Sequence, residues 1–397
     1  MTNRTATILF VLGILFISFN LRPAITAVGP LVPLIREDTG MSNSLAGSLT
    51  TIPLLSFAAF SLIAPKLGLR FGNNLAVFAA LATLVTGIFL RTTGLITAIL
   101  VGTALIGIGI AVCNVLLPGI IKFNFPQKVG IMTSIYTAGM GLFASIGSGL
   151  SIPLAETAGL GWEMTLAIWG LLGGLALVFW APQLKGSVSA RTSSAVAASV
   201  DHNHMPIWKS SLAWYVTLFM GLQSFVFYNM IAWLPDVLQS LGVSLAFAGW
   251  TLFLLQLIGI PFSFAVPLLA TRLRNQQPIV VGICSLYVIS MSGLLFLPNL
   301  PVIIISALCL GIGQGAAISL ALTLLGLRAK EPQEAARLSG MAQSVGYLLA
   351  ASGPVLMGVM YDTFSTWQPF LYTILVVSFL VLAFGLKAGQ NRYIFES

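Results

Sequence analysis

The sequence predicts an all-α polytopic membrane protein whose twelve transmembrane helices form two six-helix halves. Three observations predict it. Of 397 residues, 57% are hydrophobic and only 7% charged, where soluble domains carry about 25% charged residues. The apolar residues fall into twelve runs, each close to the roughly 20 residues needed to cross a hydrocarbon core about 30 Å thick. Short stretches of the first half recur in the second at a nearly constant spacing. The 18 Lys and Arg, 10 Asp and Glu and 2 His could not cover the surface of a water-soluble protein this long. Soluble enzymes, nucleic-acid binders and disordered scaffolds are excluded.

Spans 1 to 6 are predicted at 7–31, 44–64, 75–92, 95–121, 131–154 and 163–181. Spans 7 to 12 follow at 211–234, 245–270, 278–297, 300–326, 337–360 and 368–388. The one long polar stretch between them is rich in Ser and Ala and contains His202 and His204; it reads as a linker. The expected organisation is a six-helix half at 1–182, a cytoplasmic linker at 183–210 and a second half at 211–397. Arg4 ahead of an apolar run imitates a signal peptide, but the run continues past signal-peptide length and further spans follow, so it is taken as an uncleaved first helix.

Charge gives the sidedness. With both termini in the cytoplasm, 15 of the 18 basic residues lie inside; Arg36 and Arg91 fall outside and Arg22 within a span. That is the bias of the positive-inside rule, and it accounts for the net charge of +8 without nucleic acid. Cys113, Cys284 and Cys309 sit inside apolar runs, which gives neither a disulfide framework nor a metal spacing.

Two stretches recur. Pro65-Lys-Leu-Gly-Leu-Arg70 closes span 2 as Pro267-Leu-Leu-Ala-Thr-Arg272 closes span 8, 202 residues on. Gly107-Ile-Gly109 of span 4 returns as Gly311-Ile-Gly313 of span 10, 204 residues on. Agreeing offsets near half the chain length indicate duplicated halves, a parallel repeat of the kind found in secondary transporters.

The stretch 65–74 resembles the loop pattern G-x-x-x-D-R-x-G-R-[RK] of the major facilitator superfamily through Arg70 and Gly72, with Leu69 in place of the pattern's Asp and Asn73 and Asn74 in place of its basic pair. Asn20-Leu-Arg-Pro23, Asn114-Val-Leu-Leu-Pro-Gly119, Trp233-Leu-Pro235 and Gly340-Met-Ala-Gln-Ser-Val-Gly-Tyr347, running on to Gly353-Pro354, are similar to the bacterial cyanate and 2-nitroimidazole transporter branch of that superfamily. The resemblance covers nearly the whole chain except the linker. It implies that spans 1, 4, 7 and 10 line a central cavity, with 2, 5, 8 and 11 beside them, and a bacterial cytoplasmic membrane location.

Arg22 is the most informative residue. It lies about 15 residues into span 1, somewhat past the bilayer centre at 1.5 Å per residue. An intramembrane arginine costs on the order of 3 kcal/mol unless it meets a cavity or partner. The spans hold no deep Asp or Glu to neutralise it; Asp236 and Asp362 stand near the ends of spans 7 and 11. A fixed positive charge favours an anion or a strongly dipolar solute, and guanidinium suits planar oxygen or nitrogen acceptors. The alternative is a side chain bonded to helix carbonyls or snorkelling to the interface. Thr26 is expected on the same face as Arg22, with Asn20 pointing elsewhere. Pro23, Pro30 and Pro33 remove helix donors and leave carbonyls that must be satisfied inside the protein, so span 1 is expected to bend.

The other candidate substrate contacts are Asn114 in span 4, Tyr136 in span 5, Gln223, Tyr228 and Asn229 in span 7, Gln256 in span 8, Gln314 in span 10, and Gln343 with Tyr347 in span 11. For each Gln or Asn the competing reading is an interhelical hydrogen bond worth about 0.6 kcal/mol. Trp233 reads as a member of an interfacial aromatic belt. Gating or small-residue seam positions are Arg70, Gly72, Gly139, Gly147, Pro153, Gly353 and Pro354; glycine seams let helices approach and slide.

No nucleotide-binding motif is present. Both histidines sit in the linker, so an intramembrane hydrolase has no base for its nucleophile, and His202-x-His204 has no third ligand nearby for a metal. The expected protein is a monomeric secondary transporter of a small planar anion or polar heteroaromatic solute, cyanate-like or nitroimidazole-like as the resemblance implies. It works by alternating access in a lipid bilayer without cofactor or metal, a proton being a candidate co-substrate. A multidrug-type exporter of neutral organic compounds is the alternative.

Overall fold

The computed structural model describes residues 3–125, 129–186, 206–330 and 332–395. Among these all regular structure is helical, and twelve helices are long and apolar enough to cross a membrane. Spans 2 to 6 are the helices Asn43–Phe71, Asn73–Arg91, Ile96–Asn124, Val129–Ile152 and Gly161–Trp180; spans 7 to 12 are Ser211–Ser240, Leu245–Arg272, Gln277–Phe296, Leu300–Leu327, Pro332–Phe364 and Gln368–Ala388. His202 and His204 lie outside the described residues. Starts are chemically marked in the second half. Ser210, Ser244 and Asn299 each accept a backbone N–H three residues on, at the heads of spans 7, 8 and 10, which satisfies one of the orphan donors of a helix start.

Span 1 is broken. It consists of Asn3–Ser18, a turn, the short helix Pro23–Thr26, and Val28–Thr39. The cause is proline. Pro23 leaves the carbonyl of Phe19 without its usual donor, and Pro30 does the same to Thr26. Span 5 supplies the replacement at the second position: Ser148 Oγ donates to the Thr26 carbonyl at 3.2 Å, and Ser151 Oγ to the neighbouring Ala27 carbonyl at 2.8 Å. Span 5 itself ends in a π-helical turn, Pro153–Thr157, the usual form of a bulge that absorbs one extra residue.

The chain divides into two compact units, Met1–Met41 with Ile52–His202, and Ser42–Thr51 with Asn203–Ser397. Within each, the recurring glycine pair does the same work. In the first unit a Cβ on Gly107 would lie 2.7 Å from Pro53 Cα of span 2, and one on Gly109 would lie 2.8 Å from Leu84 Cβ of span 3. In the second unit a Cβ on Gly311 would run into the Leu255 carbonyl and, at 2.5 Å, Ile258 Cγ2 of span 8, and one on Gly313 would lie 2.8 Å from the Tyr287 ring of span 9. One glycine seats the fourth helix of each unit on the second, the other on the third. The close-approach residues Pro53 and Leu255 stand 202 apart, the spacing that separates Arg70 from Arg272.

Arg328, counted from sequence among the loop charges, is buried at the end of span 10. Its guanidinium donates to the carbonyls of Ala388 at 2.9 Å and Gly389 at 3.3 Å, and to Gln276 Oε1. Burial pulls its pKa below the ordinary arginine value, and Tyr393 partly opposes the shift. The Ile394 backbone N–H bonds the Arg328 carbonyl at 2.9 Å, while Ser210 Oγ donates to the Ile394 carbonyl. The C-terminal segment thereby closes over the heads and tails of spans 7, 9, 10 and 12.

Candidate functional site

Arg22 stands where span 1 restarts. It is half-buried and is the cap residue ahead of Pro23–Thr26; its carbonyl accepts the N–H groups of Ile25 at 2.9 Å and Thr26 at 3.0 Å. The backbone of Arg22 therefore builds the short helix while its side chain takes no part in that ladder. Thr26 is buried, and its hydroxyl donates to the Ala144 carbonyl of span 5 at 3.0 Å. Asn20 turns back on its own helix, Nδ2 donating to the Phe16 carbonyl at 2.6 Å, and its Oδ1 would lie 3.4 Å from a Cβ added to Gly173 of span 6. Gly139 and Gly147 of span 5 face the same break: a Cβ there would lie 2.5 Å from Ser18 Oγ and 3.2 Å from Pro23 Cβ respectively. In this unit the span 5 seam serves the broken helix.

Span 4 meets span 5 through a pair of predicted residues. The Tyr136 hydroxyl donates to Asn114 Oδ1 at 2.7 Å, which commits the amide oxygen and leaves the Asn114 NH₂ as the half that could meet a ligand. Arg70 is exposed, its guanidinium 5.3 Å from the Phe71 ring. Gly72, with φ 87°, makes the turn between spans 2 and 3, a left-handed backbone that favours glycine.

In the second unit two candidates, Asn229 and Gln314, keep buried polar atoms without a partner among the described residues. Gln223 is fully enclosed, Nε2 donating to the Met220 carbonyl at 3.0 Å and Ser224 Oγ at 2.8 Å. Gln343 Nε2 donates to Ser339 Oγ at 2.8 Å. Tyr228 is half-buried with its ring edge-on to Phe227; Gln256 and Tyr347 are half-buried too. Asn229 is 0% exposed; its Nδ2 donates to the Phe225 carbonyl at 2.8 Å, and its Oδ1 has no hydrogen-bond partner among the described residues. Gly353 of span 11 exists to admit that amide, since a Cβ there would collide with Asn229 Nδ2. Gln314 of span 10 is 4% exposed, and neither Nε2 nor Oε1 has a partner among the described residues. Leaving a buried polar group unmade costs about 1–3 kcal/mol, so an amide stripped of both bonds is the strongest ligand-contact signal in this unit.

Trp233 corrects the belt assignment. It is completely buried, its indole N–H donating to the Pro354 carbonyl at 2.9 Å and its ring 5.1 Å from Trp367. Depth along a helix suggested an interfacial ring; the acceptor that claims the N–H lies on another span.

Asp362 is occupied. Its Oδ1 accepts the Asn43 backbone N–H at 3.2 Å and Asn43 Nδ2 at 2.7 Å, and its Oδ2 accepts the Ser44 N–H at 2.9 Å. A carboxylate on the exposed donors of a helix start is favoured by charge and by dipole. Asp362→Ala is expected to lower thermal stability by about 1–2 kcal/mol, and Asp362→Asn by less, because one carbonyl oxygen still accepts. Equal melting of wild type and Asp362→Ala in detergent would contradict this role.

Sequence reasoning missed Arg91. The charge count places it on the outer side at the end of span 3 and gives it no role, yet it is 2% exposed, with Nη1 donating to the Ala24 carbonyl at 2.8 Å. No local pattern marks it, because its acceptor exists only where span 1 breaks.

Twelve apolar helices long enough to cross a membrane, in two units that seat their helices on the same glycine pair, are the architecture of a membrane transporter. The chain belongs to the Major Facilitator Superfamily, whose family model matches residues 8–351. It is 48% identical to the uncharacterized transporter YycB of Bacillus subtilis, over 97% of this chain and 94% of that one. It is 41% identical to the 2-nitroimidazole transporter of Escherichia coli, over 98% and 97%, and 28% identical to the cyanate transport protein CynX of the same organism, over 88% and 89%.

Proposed function

We propose that this chain carries a small planar anion or polar heteroaromatic solute across the bacterial cytoplasmic membrane by alternating access, with Arg22 as the substrate anchor. The observation that carries this reading is the position of Arg22. Its carbonyl sustains the restart of span 1, and its guanidinium is a fixed positive charge in a set of spans whose carboxylates stand only near helix ends. The names of two relatives, a nitroimidazole carrier and a cyanate carrier, support the same solute class. Gln314 and Asn229 are the second-unit residues assigned a substrate contact, on the strength of their unmade hydrogen bonds. Both termini are assigned to the cytoplasm from the basic-residue bias, and the protein is taken to act as a monomer.

Energetics follow from what the spans lack. Proton relays use intramembrane Asp, Glu or His, and the central part of these spans contains none. A guanidinium stays charged at any working pH. Coupling is therefore assigned to the ionisation of the solute itself, a proton travelling with the anion. Purified protein in liposomes preloaded with cyanate or with 2-nitroimidazole is expected to show saturable counterflow of one of them, with net flux following that solute's own ionisation. Counterflow of a neutral lipophilic dye with neither solute exchanged would replace this reading by a multidrug-type exporter.

A further inference from the structure

We propose that Arg91 is a positioning residue for Arg22: by bonding the Ala24 carbonyl it holds the Pro23–Thr26 turn, and with it the Arg22 guanidinium, in the geometry that binds substrate. The proposal rests on the assignment of Arg22 as the anchor.

The page gives four reasons. First, the contact falls at the weakest point of span 1. The segment 19–22 is a turn, the helix that follows spans only Pro23–Thr26, and Pro23 and Pro30 deprive it of ladder donors on both sides. A four-residue helix has no stability of its own, so what surrounds it decides where Arg22 points. Second, the bond is to backbone. Nη1 reaches the carbonyl of Ala24, two residues from Arg22, and no substitution of a span 1 side chain would replace it.

Third, the rest of the guanidinium is unused. Nε and Nη2 of Arg91 are buried without a hydrogen-bond partner among the described residues. A buried arginine held for stability is expected to meet a carboxylate or several carbonyls, as Arg328 does. Arg91 makes one bond, so its burial is poorly repaid by stability and is explained by what that one bond controls. Fourth, the end of span 3 is built to bring it there. A Cβ on Gly102 of span 4 would lie 2.7 Å from the Arg91 backbone nitrogen, so only glycine lets the two helices approach this closely. Thr26 and Ser148 tie the same turn to span 5. The turn is thus held between span 3 and span 5, with Arg91 as the span 3 contact.

The test compares Arg91→Met, which keeps the bulk and loses the donor, with Arg91→Lys, which keeps one donor and needs only one. In proteoliposomes, with cyanate and 2-nitroimidazole as probes, Arg91→Met is expected to raise the apparent KM for whichever probe the wild type exchanges. The rise should be about tenfold to a hundredfold, the scale of an ångström-level misplacement, with the maximal rate little changed. Arg91→Lys should restore most of it, unlike Arg22→Lys. Hydrogen exchange in nanodiscs should speed up at the amides of Ile25, Thr26 and Ala27 in Arg91→Met and not in Arg91→Lys, with span 5 unaffected. Arg91→Gln, whose donor falls short, replaces Met if Met does not accumulate in the membrane. Unchanged exchange at those three amides, or an unchanged KM beside an inactive Arg22→Ala, would overturn the proposal alone. Normal transport by Arg22→Ala would overturn the anchor and this proposal together, and needs no change at position 91 to be seen.

Discussion

Arg22→Ala abolishes solute exchange while leaving the protein folded in the membrane: this is the expected result, and the geometry explains why the two effects separate. The Arg22 carbonyl, which accepts the N–H groups of Ile25 and Thr26, carries the restart of span 1. Alanine presents the same carbonyl and favours helix, so the restart of span 1 survives. What disappears is the fixed charge. Truncating one side of a desolvated, charge-assisted contact costs about 2–5 kcal/mol, and each 1.4 kcal/mol is about tenfold in affinity, which puts the loss at roughly 30-fold to several thousand-fold. Lysine keeps the charge and loses the planar fork, so it rescues poorly. Counterflow beside a folding check by size-exclusion chromatography decides the matter: near-normal exchange by the alanine variant would remove Arg22 from the site, and aggregation of it would assign the residue to structure.

The parts of this protein that were legible in its sequence are those set by the bilayer. Run length and apolarity mark where a helix crosses, and span 12 was placed at 368–388, the helix Gln368–Ala388. Hydropathy reports the crossing, not the helix. Hydropathy ends span 1 at 31, while its last piece continues to Thr39 through Arg36, Glu37 and Asp38, and span 7 runs six residues past its expected end at 234. The proline rule worked at span 1 because it is local: Pro30 frees a carbonyl, and a hydroxyl of span 5 fills it. Arg91, Arg328 and Trp233 were illegible for the opposite reason. Each is fixed by a backbone carbonyl on a distant helix, and a carbonyl's availability has no sequence signature. Among the site candidates, spacing could nominate Gln223 and Gln314 alike. Only packing shows that the first spends its amide on Met220 and Ser224, while the second spends none.

The repeat carries the other large expected effect. Gly311→Ala is expected to destabilise the second unit by on the order of 3 kcal/mol, and Gly107→Ala to destabilise the first in the same way but by less. At Gly311 the added methyl meets the carbonyl oxygen of Leu255 and the side chain of Ile258. The Leu255 carbonyl belongs to a helix backbone that cannot rotate away as a side chain would, so span 10 must move off span 8 as a body. At Gly107 the obstacles are Pro53 Cα at 2.7 Å and the Ser56 side chain at 2.8 and 2.9 Å, partly adjustable, which makes this the milder variant. Helices in lipid gain no hydrophobic drive to re-close such a gap, because association there rests on packing and close approach. Gly326 of the same span 10 is the control. It is exposed, with nothing within 4 Å of the added Cβ, so Gly326→Ala should be neutral or stabilising by about 0.5–1 kcal/mol, the usual gain over glycine inside a helix. The comparison is made by thermal melting of the three variants in one detergent. A Gly311→Ala protein that melts with Gly326→Ala would mean the recurring glycine pair is an accident of sequence rather than the joint on which each half seats its fourth helix.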